Sequence, residues 1–182
     1  MNTFISALWA ETLKAHRSKV PLFTAIGFSF APLVGGLFMI ILKDPEAARS
    51  MGLIGAKAQL TVGTADWPAF FSMLAQATAI GGAILFAIVT AWMFGREFTD
   101  RTAKDLLSLP TSRAAIVAAK FAVVAAWTVV LTLTNFGIGL IVGAQVDIPG
   151  WSQELAMSAF IDVVGAGLLT IALVPFVALA AS

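Results

Sequence analysis

Few side chains in this sequence could do chemistry by themselves. The one histidine, His16, stands in the basic stretch KAHRSK, without the H-E-x-x-H spacing that sets two imidazoles on one helix face for zinc. A solvated or headgroup-facing imidazole is expected there, and no metal site. Cysteine is absent, which excludes disulfides, thiolate ligands and cysteine nucleophiles. No serine sits in a nucleophile-elbow pattern, and no G-x-x-x-x-G-K-[ST] loop is present to cradle phosphates. The chain is therefore expected to be neither an enzyme nor a nucleotide binder, and to carry no cofactor. Any energy it uses must come from a partner.

Two charged features remain. Asp162 is the acid that interrupts the apolar sequence near the C-terminal end. A charge at bilayer depth is costly, so it tends to face a cavity or a partner, and Asp162 is a candidate for a pathway or gating role. It also lies eleven residues beyond Trp151, about 16 Å along a helix, which leaves a position near the wet boundary open. The second feature is the stretch REFTDRTAKDLLSLPTSRAAIVAAK, Arg96 to Lys120, which holds five of the chain's eleven Lys and Arg residues between two long apolar runs. Thr102-Ala103-Lys104-Asp105 fits an N-terminal helix cap, and Leu106, Leu107 and Leu109 follow before Pro110 ends the helix. This reads as a short amphipathic helix, with Thr111 or Ser112 capping the next one. Its leucines need a cover. Headgroups and the chain's own helix ends are one choice; another protein is the other.

The elements that position these residues follow from composition. With 182 residues, 59% hydrophobic, 12% charged and a net charge of +1, the chain has too little charge to cover a soluble core, and nothing in its charge balance suggests nucleic acid. Four uncharged runs, Val20–Leu42, Trp67–Gly95, Phe121–Val146 and Val163–Ser182, hold 23, 29, 26 and 20 residues. Each can cross a hydrocarbon core of about 30 Å as a helix. The fold expected is an all-α polytopic membrane bundle with spans at about 20–42, 67–95, 113–146 and 155–182, and a linking segment at 96–112. Pro32 and Pro175 are expected to kink their spans.

Eight of the eleven Lys and Arg residues fall before the first span or between the second and third, which assigns the N-terminus to the cytoplasm of a multi-pass membrane protein. Trp67 and Trp151 are expected at the outer interface and Trp92 at the inner one. The first span is too long for a cleaved signal core and is expected to stay. Before it, Phe4, Ile5, Leu8, Trp9 and Leu13 form one helical stripe in residues 1–19, which suits a helix lying in the membrane surface. The alternative is a cytosolic helix packed on a partner. Small residues recur every fourth position: Ala79, Ala83, Ala87 and Ala91 in the second span, then Ala118, Ala122 and Ala126, and Gly139 with Gly143, in the third. Such rows let helices approach closely.

Two stretches, FISALWAETLKAHRSK and FGREFTDRTAKDLLSLPTSRAAIVAAK, resemble permease subunits of type 2 ATP-binding-cassette exporters, the family that includes bacitracin- and lantibiotic-resistance permeases. The resemblance implies that the first stretch is an interfacial elbow helix and the second a coupling helix docked on a cytosolic ATPase subunit. It carries docking onto Glu97, Asp100, Thr102, Asp105, Leu106, Leu107, Pro110 and Arg113. It further implies a second permease subunit, identical or not, and a prokaryotic cell membrane. The family usually has six spans where this sequence offers four, a departure that leaves open whether two further spans lie outside it. The function implied is export of an antibiotic peptide, drug or lipid, driven by ATP hydrolysis on the partner. The rival is a membrane anchor that binds a cytosolic protein through 96–112 and moves nothing; an ion channel is disfavoured by the scarcity of polar residues in the spans.

Overall fold

The computed structural model describes residues 3–50, 52, 64–99 and 112–181. Among them the secondary structure is helical: α1 (Thr3–Arg17), α2 (Val20–Lys43), α3 (Pro45–Ser50), α4 (Trp67–Thr99), α5 (Arg113–Gln145), α6 (Gln153–Ile171) and α7 (Val174–Ala181). Four stretches are long and apolar enough to cross a membrane: α2, Trp67–Glu97 of α4, α5, and Gln153–Ala180 across α6 and α7. The all-α membrane bundle expected from composition is the fold observed.

Local chemistry sets the boundaries. Pro21 lies in the first turn of α2, where a missing N–H costs nothing. Ser112 caps α5, its hydroxyl accepting from the Ala115 N–H at 3.3 Å, and Ser152 caps α6 in the same way from Leu155 at 3.1 Å. Pro32 does not end α2, which continues to Lys43. Pro175 is different: the helix breaks at Ala172–Leu173, and Pro175 falls in the first turn of α7. A proline ring excludes the carbonyl four residues earlier, here Ile171, so the last span becomes two helices in series.

Packing centres on α4, which touches α2, α5, α6 and α7, while α5 also meets α1 and α2. Three core layers follow one another along the bundle. Met39, Trp67, Phe70, Phe71, Leu74, Phe136 and Val163 fill the end near the α5–α6 turn. Phe28, Phe86 and Leu131 occupy the middle, and Val89, Met93, Phe94, Val124 and Val174 the end near α1. Trp67 is thus a core residue, 3% exposed, rather than an interface anchor. Trp151, half exposed, leans on it with ring centroids 4.8 Å apart. Outside the core, Phe23, Phe30, Ile80, Ile84, Ile88, Leu169 and Phe176 point away from the bundle, as lipid-facing side chains do.

The small-residue rows divide by function. Gly139 packs under the Leu74 side chain and Gly143 under the Trp67 indole, so the third-span glycines are where α5 meets α4. The alanine row of α4 does not serve this chain's own packing: Ala79 and Ala91 are exposed and Ala83 and Ala87 half-buried, while Leu74, Thr78, Gly82, Phe86 and Val89 face inward. Large side chains win the inward face because they remove more surface and make more contacts per residue.

Candidate functional site

The chemistry-bearing groups converge where α1, the end of α4 and the start of α5 meet. α1 presents its apolar stripe outward, with Ile5, Trp9 and Leu13 exposed and Phe4 and Leu8 half-buried. Its inward face is Ala7 and Glu11, the latter 3% exposed. A carboxylate there must be paired, because an isolated buried charge is far more costly than the packing around it can offset.

Its partners are two lysines. Lys14 approaches Glu11 at 2.7 Å from the next turn of α1, and Lys120, two turns into α5 and 3% exposed, lies 3.5 Å from the other carboxylate oxygen. Glu97, near the end of α4, meets the same two ammonium groups, Lys120 at 2.8 Å and Lys14 at 3.5 Å. Each acid therefore touches both bases and each base both acids. The four formal charges cancel, so the cluster can be buried without net charge. Lys120 also donates to the Met93 carbonyl at 2.7 Å and sits 5.6 Å from the centre of the Phe94 ring. That bond gives the ammonium group a further acceptor on α4 and fastens α5 to its neighbour. Beside it, the Arg96 guanidinium lies 5.4 Å over the Trp92 ring and 3.5 Å from the Lys14 carbonyl.

This arrangement locates two of the residues implicated in docking. Glu97 turns inward to the cluster, its side chain 15% exposed. Arg113 is exposed at the first turn of α5. Asp100, Thr102, Asp105, Leu106, Leu107 and Pro110 lie outside the described residues. Glu97 lies near the end of α4 and Lys120 two turns into α5, so the ion cluster joins the two helices that flank residues 100–111.

Asp162 is elsewhere. It stands on the outward face of α6 beside exposed Ile161, Met157 and Ser158, about 14 Å along the helix from Gln153. No part of the described bundle covers it. Among the described residues no group of three His, Cys, Asp or Glu could hold a metal, and His16 is exposed.

Sequence reasoning missed the cluster. The reading of residues 1–19 rested on their apolar stripe and left Glu11 aside, and Lys120 entered only as one of the basic residues between the second and third spans. The signal was there in one respect: Lys120 lies seven residues inside its helix amid alanine, valine and isoleucine, where a lysine without a partner would be unstable.

The interior of the bundle holds a second polar contact. Asn135 on α5, 1% exposed, donates to the Thr78 hydroxyl of α4 at 3.1 Å, and Thr78 donates to the Leu74 carbonyl at 2.8 Å. Such a bond between spans fixes their rotation relative to each other.

Comparison with known proteins adds a family. The family described as "ABC-2 family transporter protein" matches residues 7–182. A bacitracin transport permease protein of Bacillus licheniformis is 28% identical over 79 residues, which cover 43% of this chain and 38% of that relative. The match thus spans well under half of the relative's length. No solved structure matches the chain significantly.

Proposed function

Because the chain belongs to the ABC-2 family of transporter proteins, which matches nearly its whole length, we propose that it is the permease subunit of an exporter driven by ATP hydrolysis on a separate cytosolic subunit. The family match is the observation that carries this reading. The fold supports it: four helices long and apolar enough to cross a membrane form the bundle, and the end of α4 and the start of α5, which flank residues 100–111, are joined by the ion cluster. In this reading residues 96–112 are the coupling segment. Asp100, Thr102, Asp105, Leu106, Leu107, Pro110 and Arg113 contact the ATPase, and Glu97 anchors the segment's first stem.

α1 is the elbow, its stripe of Phe4, Ile5, Leu8, Trp9 and Leu13 seated among headgroups. A second permease subunit, identical or homologous, completes the complex in a prokaryotic cell membrane with the N-terminus inside. The substrate is an antibiotic peptide, drug or lipid, with bacitracin the first compound to try, since the relative is a bacitracin transport permease. Asp162 then faces the pathway or the partner subunit in place of lipid.

The test is recovery of the tagged protein in detergent from its native cells, with ATP hydrolysis assayed on what accompanies it. An ATPase should accompany the unaltered chain and be lost from the Asp105→Ala/Leu106→Ala double variant. A folded chain that brings no ATPase would instead be an anchor for some other cytosolic protein. Asp162→Asn should leave the ATPase bound and abolish export; undiminished export would remove Asp162 from the pathway.

A further inference from the structure

We propose that Glu11, Lys14, Glu97 and Lys120 form a clamp that makes α1, the end of α4 and the start of α5 a single mechanical unit, with Lys120 as its positioning residue. The inference deepens the reading of 96–112 as a coupling segment, and rests on it for its functional consequence alone.

Three observations converge. First, the ion pairs join three elements, since Glu11 and Lys14 come from α1, Glu97 from α4 and Lys120 from α5. Second, Lys120 and Glu11 are almost fully buried, so water neither screens the pairs nor substitutes for them when they part. A pair that water cannot replace resists separation of its helices. Third, the clamp ties together the two helices that flank residues 100–111, through Glu97 near the end of α4 and Lys120 two turns into α5.

Pulling on that segment would draw its two stems apart unless something held them. Lys120 holds them from inside, through Glu97 at 2.8 Å and the Met93 carbonyl at 2.7 Å. Through Glu11, the same ammonium ties in α1. A displacement of the segment therefore carries α1 with it, and a helix seated at the membrane surface becomes part of the moving body.

The experiment uses spin labels, which the absence of native cysteine makes direct. Thr12→Cys on α1 and Ala114→Cys on α5 are both exposed and outside the clamp. Their separation is measured by pulsed dipolar spectroscopy on the full chain in lipid nanodiscs. A narrow distance distribution is expected, broadened by Lys120→Ala and kept by Lys120→Arg. Glu11→Gln, which preserves side-chain size and leaves the Lys120–Glu97 pair, should also broaden it.

An unchanged distribution in Glu11→Gln, with helix content retained by circular dichroism, would overturn the clamp even if Lys120→Ala fails to fold. The functional arm adds ATP and orthovanadate to the complex recovered with its ATPase. The labels should keep their separation in the otherwise unaltered chain and become nucleotide-dependent in Glu11→Gln. A nucleotide-dependent separation without that substitution would also overturn the proposal. Recovery of no ATPase would sink the proposed function, yet the distance measurement on the free protein would still decide the clamp.

Discussion

Lys120 shows how far burial changes the worth of a charge. In water an ion pair between mobile side chains contributes about 0–1 kcal/mol. Inside a protein, removing one partner leaves the other charged and unsolvated, at a cost of about 3–5 kcal/mol. Lys120 has two carboxylates and a carbonyl within 3.5 Å and is almost wholly enclosed, whereas the Lys14 side chain is 36% exposed. We expect Lys120→Ala, which strips two carboxylates of their shared buried partner, to lower stability by about 3–5 kcal/mol, and Lys14→Ala, which removes a partly exposed base but also the 2.7 Å partner of buried Glu11, by about 1–3 kcal/mol, read from unfolding in mixed micelles. Equal losses at the two sites would mean that water reaches the cluster. The Asn135–Thr78 contact belongs in a lower class, because hydrogen bonds between membrane helices average about 0.6 kcal/mol.

At the scale of elements, the close approach of α4 and α5 depends on the absence of side chains at two turns. A methyl group at Gly143 would run into the Trp67 indole, a rigid ring already enclosed by Phe70, Phe71 and Trp151. On the same helix, a methyl group at Gly137 would meet nothing within 4 Å. Gly143→Ala should therefore cost about 1–3 kcal/mol by overpacking. Gly137→Ala should be neutral or gain up to about 1 kcal/mol from helix propensity. The pair shares one substitution and one helix, so a difference in thermal stability isolates the contact. α1 makes a related point: it docks through Ala7 and Glu11, leaving its apolar stripe outward. That reverses the amphipathic arrangement of a soluble helix, and it is consistent where the outside is a membrane surface.

For the whole molecule, the distribution of Lys and Arg predicts a single orientation. Thr12 lies at the α1 end and Ser152 at the opposite end, just past exposed Trp151. In intact cells, a membrane-impermeant maleimide should label Ser152→Cys and should reach Thr12→Cys only after permeabilisation. Labelling of Thr12→Cys from outside would invert the topology and place the 100–111 segment beyond the reach of any cytosolic ATPase.

The number of spans and a helix cap at Thr111 or Ser112 were legible in the sequence, because each depends on residues near one another along the chain; the structure chose Ser112. Hydrophobic length suffices to recognise a span, since the bilayer offers the backbone no other partner. Which face of each span turns inward was not legible. The alanine row of α4 and the glycine row of α5 look alike as spacing, yet the glycines lie directly under large side chains of α4 while the alanines are exposed or half-buried, because that depends on which side chains stand opposite. The same holds for the ion cluster. Glu11 lies 86 residues before Glu97, and Lys120 lies 23 after it; each taken singly is an ordinary charge near a membrane boundary. Only the folded arrangement brings two acids and two bases within 3.5 Å, because burial makes each charge depend on partners that come from other helices.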